Sequence, residues 1–379
     1  MKEYDYIITG SGASGLMLAY RMANDSFFDS KSILIIDKEK KSTNDRTWSF
    51  WEQGKGEWDD VVCKSWNHIL FNSDNFSKKI SLSPYSYKTI RSEKFYKQLW
   101  EVIESKENIS FIEDTIINIS HKSHSASVLT KKTEYHASKL FNSILFGKMY
   151  KQQLKYPALE QHFVGWFIET ESDMFDDTAA TFMDFAVQQR DNTRFMYVLP
   201  MSPRKALFEY TLFSNNLLET SEYEKEIERY LKQKSITKYT IVEKEKGIIP
   251  MTSYRFWKHN SKNVLNIGTA GGWSKASTGF TFMNINKNTS ELIEFIKTGK
   301  SFREFRKKTR FWWYDLLLLD VLSKENHLGS KIFSKLFKRN SIQKIFKFLD
   351  ERTSITEDIS IFLTMSPFRF VKALFKRIF

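Results

Sequence analysis

Tyr4-Asp5-Tyr6-Ile7-Ile8-Thr9-Gly10-Ser11-Gly12-Ala13-Ser14-Gly15 is a short apolar run that leads straight into a glycine turn. A buried parallel strand reads this way, and a turn that brings backbone up to a pyrophosphate needs residues without a Cβ. Gly10, Gly12 and Gly15 meet that need. Leu16, Ala19 and Met22 then recur at helical spacing, so the helix N-terminus would aim its free N–H groups and positive dipole end at the phosphates. A second apolar run, Ser32-Ile33-Leu34-Ile35-Ile36, ends in Asp37, about 20 residues past the turn, where such folds place a carboxylate on the ribose 2′-OH. Strand, turn, helix, strand and acid in this order predict an adenine dinucleotide site. Gly10, Gly12, Ala13, Ser14, Gly15, Asp37 and Lys38 are its candidate contacts. The alternative is a glycine turn in a Rossmann-like fold that holds no nucleotide.

Composition narrows the class. The 379 residues are enough for two or three domains with sizeable cores. The 33 Phe, 16 Tyr and 10 Trp suit a large apolar pocket as well as ordinary core packing. Cys63 is the only cysteine, which excludes an internal disulfide framework and a Cys-based metal cluster and fits a reducing compartment. The N-terminal apolar run is too short for a secretory signal and is already used as a strand. His121 and His124 read as loop histidines, with no second ligand pair at metal spacing, so no metal is expected. Neither a Gly-x-x-x-x-Gly-Lys phosphate loop nor a nucleophile-elbow serine occurs.

Net charge is +13, and the excess is patterned. From Ser330 onward apolar pairs alternate with basic residues. Between Arg369 and Phe379, the residues Phe370, Val371, Leu374, Phe375 and Ile378 share one helical face, with Arg369, Lys372 and Lys376 on the other. Such a helix either lies in the headgroup plane of an anionic membrane or packs on the body with a solvated basic face. No nucleic-acid module is visible, so nucleic acid is not an expected partner. The run Phe311 to Leu322 is interrupted by Asp315 and Asp320 and is too short to span a bilayer.

Short strand-like runs at Ile69 to Phe71, Ile80 to Leu82, Phe163 to Glu169, Ala179 to Phe185 and Phe195 to Leu199 predict an antiparallel sheet. Helical patterns at Ser92 to Ser105 and Glu222 to Gln233 punctuate them, and the chain after Ser301 reads as helical. A second glycine cluster, Gly268-Thr269-Ala270-Gly271-Gly272-Trp273-Ser274-Lys275-Ala276-Ser277-Thr278-Gly279, follows the strand Asn263 to Ile267. A late cluster of this kind lets backbone amides reach the ribityl chain, pyrophosphate and ring of a flavin, which an NAD-only enzyme would not need. The candidate contacts are Gly268, Thr269, Gly271, Gly272, Thr278 and Gly279, with the Thr269 hydroxyl where an acid is usual. The fold class expected is α/β: a Rossmann-like FAD-binding domain (residues 1–62, 91–160 and 240–298), an inserted antiparallel-sheet substrate domain (63–90 and 161–239) and a helical C-terminal tail (299–379).

Several segments in order resemble the lycopene β-cyclase family of carotenoid-forming flavoproteins. They are Asp45-Arg46-Thr47-Trp48-Ser49-Phe50-Trp51, Gln161 to Thr170, Met183-Asp184-Phe185, Phe195 to Ser202, Leu207-Phe208-Glu209-Tyr210-Thr211, Gly247-Ile248-Ile249-Pro250-Met251 and the late glycine cluster. The resemblance covers residues 1 to 290 and, more loosely, the tail. It departs at Tyr210, where the family carries a second acid, and at Asn142, where an acid is common.

The resemblance implies an enzyme that closes the ψ end groups of lycopene to β-ionone rings without net redox change, yet requires reduced FAD, with NAD(P)H as the electron source. It also implies a lycopene or related carotenoid substrate and a peripheral position on the cytoplasmic face of a membrane. Proton-initiated ring closure passes through a carbocation, which calls for a dry, aromatic-lined pocket and negative charge nearby. Glu209 is the candidate acid or base, since a carboxyl in an apolar pocket stays protonated near neutral pH; otherwise it is a strand carboxylate facing solvent or paired with Lys205 or Arg204. Asp184 is the second candidate and Glu169 a weaker one. Arg46 either faces the flavin or pairs with Asp45. Trp48, Trp51, Phe185 and Tyr210 are candidate pocket aromatics, or core residues. The rival reading is a flavin-dependent oxidoreductase or monooxygenase acting on another lipophilic substrate.

Overall fold

The structure, a computed structural model, describes residues 3–122, 125–305 and 308–378, so His124 lies outside the described residues. In chain order the elements begin with β1 (Glu3–Thr9), α1 (Ala13–Ala23), β2 (Ile33–Asp37), β3 (Thr47–Gln53), β4 (Val62–Trp66), β5 (His68–Ser73), β6 (Phe76–Ser81), β7 (Tyr85–Arg91) and α2 (Ser92–Glu104). They continue with β8 (Ile109–Glu113), β9 (Ile116–His121), β10 (Ala126–Thr130), β11 (Glu134–Asn142), β12 (Leu159–Glu169), β13 (Ala179–Asp184), β14 (Thr193–Ser202), β15 (Lys205–Ser214), α3 (Thr220–Gln233), β16 (Thr240–Met251) and β17 (Val264–Asn266). The chain ends in α4 (Phe282–Lys297), α5 (Arg310–Lys324), α6 (Gly329–Arg339), α7 (Ile342–Leu349), α8 (Ile355–Met365) and α9 (Pro367–Ile378).

The first sheet runs β8-β2-β1-β11-β10-β9, with β17 added to β11. Its β1, β2, β8, β11 and β17 are parallel, and β9 and β10 complete it as an antiparallel meander. Ile7, Ile8, Leu34, Ile35 and Ile36 are fully enclosed, as strands covered on both faces require. Helix α1 packs Leu16, Ala19 and Met22 into this core, the three positions its spacing singles out. Asn142, at the C-terminal end of β11, accepts from Thr9 Oγ1 (3.0 Å) and donates to Asn266 Oδ1 (2.8 Å) and the Ile144 carbonyl (3.0 Å). The amide thus laces the ends of β1, β11 and β17, a task a carboxylate could not do because it cannot donate.

The second sheet runs β16-β12-β15-β14-β13-β5-β6 and is antiparallel except that β13 pairs with β5 in parallel. The division expected between residues 239 and 240 is therefore displaced: residues 240–251, read from sequence as part of the nucleotide domain, form the β16 edge of this sheet along β12. Period-two alternation sorts every strand onto two faces. Val164, Trp166, Phe208, Tyr210 and Leu212 pack under α3 against Tyr223, Ile227 and Tyr230, while the opposite face looks toward α6 and α7. A three-stranded sheet, β3-β7-β4, links the two larger ones.

Helix α9 packs on the body through Phe370 and Ala373, with ion pairs from Arg369 to Glu325 (2.8 Å) and Arg377 to Asp320 (2.6 Å). The single apolar face expected for it is split: Phe370 turns inward, and Val371, Leu374, Phe375 and Ile378 stay exposed. The acids that interrupt the apolar run of α5 both have cationic partners. Asp320 meets Arg377, and Asp315 meets the enclosed Lys275 (3.3 Å), which also contacts Glu351 (3.2 Å). Burial pushes the Lys275 ammonium down, but the two carboxylates outweigh it and hold it above its usual value. Removing one member of a buried ionic cluster strands the others, so Lys275→Ala is expected to lower the free energy of unfolding by about 3 kcal/mol in denaturant titration.

Candidate active site

The parallel register Leu140↔Val264, Phe141↔Leu265 and Asn142↔Asn266 brings the carboxyl ends of β1, β11 and β17 side by side, and with them both glycine segments. An open parallel sheet binds its ligand at such a place. A Cβ on Gly268 would fall 2.4 Å from Ser14 Oγ, so the late cluster rests directly on the first turn of α1. Gly10 has φ +89°, and a Cβ on Gly15 would fall 1.9 Å from the Gly10 carbonyl oxygen; only glycine closes this turn. Asp37 accepts from the Ser11 backbone N–H (2.5 Å) and hydroxyl (2.9 Å) and from the Lys38 N–H (2.7 Å), whereas the Lys38 side chain is exposed. Gly12, Ala13 and Ser14 form the α1 N-terminus, where no side-chain cap satisfies the free N–H groups. Gly271 and Gly272 (φ +68°) complete the late turn.

Beyond this cradle opens a cavity of about 340 Å³. Thr269, Ser274, Thr278 and Gly279 form the wall toward the glycine segments, and Arg46 and Trp48 a second wall. The sheet supplies Gln161, Phe163, Tyr197, Leu207, Glu209 and Phe213, and α6 and α7 close the far side with Phe333, Leu336, Phe337, Ile345 and Leu349. Gln161 Oε1 and Thr278 Oγ1, both in this wall, are buried and have no hydrogen-bond partner. Orphaned polar atoms beside an uncapped helix N-terminus and a glycine cradle are what a dinucleotide with a polar ring would satisfy.

Glu209 points into the cavity from the middle of β15, accepting from Thr211 Oγ1 (2.6 Å). Burial, followed by the Glu245 carboxylate, pushes its carboxyl up to about 8, with the Thr211 hydroxyl opposing. Burial thus favours its carboxylic acid form, and it is not the solvent-facing or Lys205-paired carboxylate of the alternative reading; Lys205 pairs with Glu169 at 2.8 Å. Across β14 the Tyr197 and Tyr87 hydroxyls meet at 2.7 Å, both phenols pushed upward by burial.

Asp184, Tyr210, Phe185 and Trp51 fall outside the cavity lining. Asp184, at the end of β13, accepts from Tyr230 Oη (2.7 Å), Asn72 Nδ2 (3.2 Å) and the Ala186 N–H (2.9 Å), and so ties β13 to α3 and β5. Tyr210 follows Glu209 in the strand, so the pleat sends it to the α3 face, where it meets Arg194 and Tyr223. Phe185 stacks against Phe333, and Trp51 stacks on Phe346 and donates to Asp350 (3.0 Å). Arg46 reaches the cavity and also donates to the Asp45 carbonyl (2.6 Å). Among the described residues no cluster of ligands fit for a metal occurs. Glu245, Tyr87, Tyr197 and the roof of α6 and α7 carry no sequence signal of their own; only the alternation of β16 with Gly247 and Ile249 could have pointed to Glu245.

The family model described as "Lycopene cyclase protein" matches residues 5–375. The chain belongs to the lycopene cyclase family. Among its relatives is a lycopene beta-cyclase of Pantoea ananas, 23% identical over 291 residues, which are 74% of this chain and 71% of that protein. A lycopene beta-cyclase of Paracoccus sp. (strain N81106 / MBIC 01143) is 30% identical over 126 residues, 32% of each chain. Solved structures show the fold. A geranylgeranyl bacteriochlorophyll reductase-like protein from Thermoplasma acidophilum aligns with TM-score 0.61 at 12% identity over 100% of both chains. A flavoprotein/dehydrogenase from Cytophaga hutchinsonii aligns at 0.57 and 12%, covering 92% of each chain. The halogenase PltM in complex with phloroglucinol and FAD aligns at 0.54 and 11%, covering 92% of this chain and 79% of that one. The lycopene cyclase resemblance read from the ordered segments and the α/β flavoprotein architecture are thus both borne out. Since a Cβ on Gly15 would force the turn apart, Gly15→Ala is expected to weaken retention of any flavin by at least about tenfold, 1.4 kcal/mol, read as flavin absorbance per chain after gel filtration.

Proposed function

We propose that this lycopene cyclase family member closes lycopene ψ end groups to β-ionone rings, giving γ-carotene and then β-carotene, in an FAD-dependent reaction without net redox change. The observation that carries this reading is a carboxylic acid, Glu209, held in an aromatic cavity whose opposite wall is the glycine cradle. Gly10, Gly12, Ala13, Ser14, Gly15 and Asp37 would hold the adenosine and pyrophosphate end, and Thr269, Thr278, Gly279 and Gln161 the ring end. When bound and reduced, with NAD(P)H as the source of electrons, FAD supplies negative charge close to the developing cation.

The protein's own residues do the rest. Glu209 gives its proton to the terminal double bond of an end group lying against Phe163, Leu207 and Phe213. The second double bond of the end group closes onto the resulting tertiary cation through its CH carbon, which moves the charge to the adjacent methyl-bearing carbon. Loss of the proton from that same CH carbon forms the ring double bond and restores the carboxyl group, so proton and electron counts both return to their starting values. Trp48, Phe163, Phe182 and Phe280 line the cavity, and a ring face turned toward a desolvated cation is worth up to about 2 kcal/mol. Helices α6 and α7 keep water out.

The direct test is chromatographic identification of the pigment formed when the protein is expressed in lycopene-accumulating bacteria, β-ionone-ring carotenoids being the expected product. Glu209→Gln is expected to lower the cyclisation rate by at least about 100-fold. Under anaerobic conditions with photoreduced FAD, product should form without matching flavin oxidation; oxidation in step with product would mark a redox enzyme instead.

A peripheral place on the cytoplasmic face of an anionic membrane belongs to the same proposal. Among the described residues no helix is long and apolar enough to cross a membrane. Ile355, Ile359 and Leu363 on α8 and Phe368, Val371 and Ile378 on α9 are exposed, with Arg369, Lys372 and Lys376 beside them. An apolar surface edged with basic residues suits anionic headgroups. The double variant Ile359→Ser/Leu363→Ser is expected to co-sediment less with phosphatidylglycerol vesicles than the unsubstituted chain, at unchanged thermal stability.

A further inference from the structure

Gly165 on β12 is paired on one side with Glu209 of β15 and on the other with Glu245 of β16. Residues paired directly across neighbouring strands project from the same face, so the two glutamates stand on one rung, with roughly 10 Å between their Cα atoms and only a glycine between them. A Cβ on Gly165 would stand 2.9 Å from Leu207 Cδ1, 3.1 Å from Glu245 Cγ and 3.6 Å from Glu209 Cβ; the missing side chain leaves room for the Leu207 methyl and for both acids to approach one another over the rung. Glu209 looks into the cavity and Glu245 lies behind it, accepting from Thr47 Oγ1 at 2.7 Å. Thr47 in turn accepts from Arg91 Nη1 at 3.0 Å, Arg91 reaches to within 3.9 Å of Glu245, and its other arm pairs with the partly exposed Glu243.

We propose that Glu245 is a positioning residue for proton transfer: the two glutamates hold one proton between them, and the outer carboxylate keeps Glu209 in its acid form. The arrangement is asymmetric in the sense this requires. Burial raises both carboxyls, but on Glu245 it is opposed by the Thr47 hydroxyl and by Arg91 and Arg46, with Glu243 adding to it, whereas on Glu209 only the Thr211 hydroxyl opposes it. The ionisable groups facing the pair are Arg46 just before β3, Tyr87 and Arg91 on β7, Tyr197 on β14 and Glu243 on β16. Thr47 and the permanently charged Arg91 tie Glu245 to Glu243 on the side away from the cavity, which holds the outer carboxyl in place. Two desolvated carboxyls this close behave as one titrating unit.

The kinetic arm of the test rests on the cyclase reading; the spectroscopic arm does not. Infrared difference spectra of the purified protein recorded across pH should show a protonated-carboxyl carbonyl band that disappears with a midpoint of about 8 and is missing in Glu209→Gln. Glu245→Gln keeps the shape and the Thr47 contact but removes the neighbouring charge, so the midpoint should fall by about 1 unit or more, while Glu245→Asp keeps it raised. Cyclisation with reduced FAD should follow the same order. The donor is present below its midpoint and lost as pH rises through it, so the alkaline limb of the rate profile moves to lower pH in Glu245→Gln and returns in Glu245→Asp. A band midpoint unchanged in Glu245→Gln, in a variant whose thermal unfolding matches the unsubstituted chain, overturns the pair. A shifted band in a protein that leaves lycopene untouched upholds the pair and overturns the cyclase reading.

Discussion

Burial forbids two neighbouring carboxyls from both being charged, and the functional face of the second sheet is organised around that restriction. Glu209 and Glu245 occupy one rung across β15, β12 and β16, with Gly165 between them. An isolated carboxylate in such a place would carry a desolvation penalty of several kcal/mol, so the group facing the apolar side remains protonated. The acidity of the site is therefore a property of strand register. A slip of one residue in β15 would turn Glu209 toward α3 and bring Tyr210 or Phe208 into the cavity.

The same register explains the division of labour across the sheet. One face, under α3, is a closed core of Val164, Trp166, Phe208, Tyr210 and Leu212 that keeps the strands in place. The other is a half-empty surface, walled on one side by the glycine segments at the carboxyl ends of β1, β11 and β17. Nucleotide cradle and acid come from different sheets and meet because β3 and β7, in the small third sheet, carry Trp48, Ser49 and Tyr87 across the gap.

Much of this was legible in the sequence wherever backbone sterics set the answer. The turn from Gly10 to Gly15, Asp37 after the second strand and the late cluster from Gly268 to Gly279 are fixed by close approach of main chain, which only certain residues permit. Glu209 was legible through the ordered family segments. Tyr210, read as a pocket aromatic or a core residue, is the latter, as the alternation of a strand already says when Glu209 faces the cavity. Glu245 was not legible, because Glu243-Lys244-Glu245-Lys246 reads as a solvated charged edge; that alternate members turn inward depends on β12 lying alongside, a contact about 80 residues distant in sequence. The boundary placed at residue 240 failed for the same reason, since an edge strand has no composition of its own.

The roof of the cavity comes from the tail and not from either large sheet. Phe333, Leu336 and Phe337 of α6 and Ile345 and Leu349 of α7 are the last barrier between Glu209 and bulk solvent, and Lys275 fastens that tail to the late glycine segment through Asp315 and Glu351. A chain that ended before Gly329 would keep its cradle and its acid yet stand open above. Any cation formed there would be captured by solvent, and hydroxylated carotenoids, rather than unreacted red pigment, would be the signature of a missing roof.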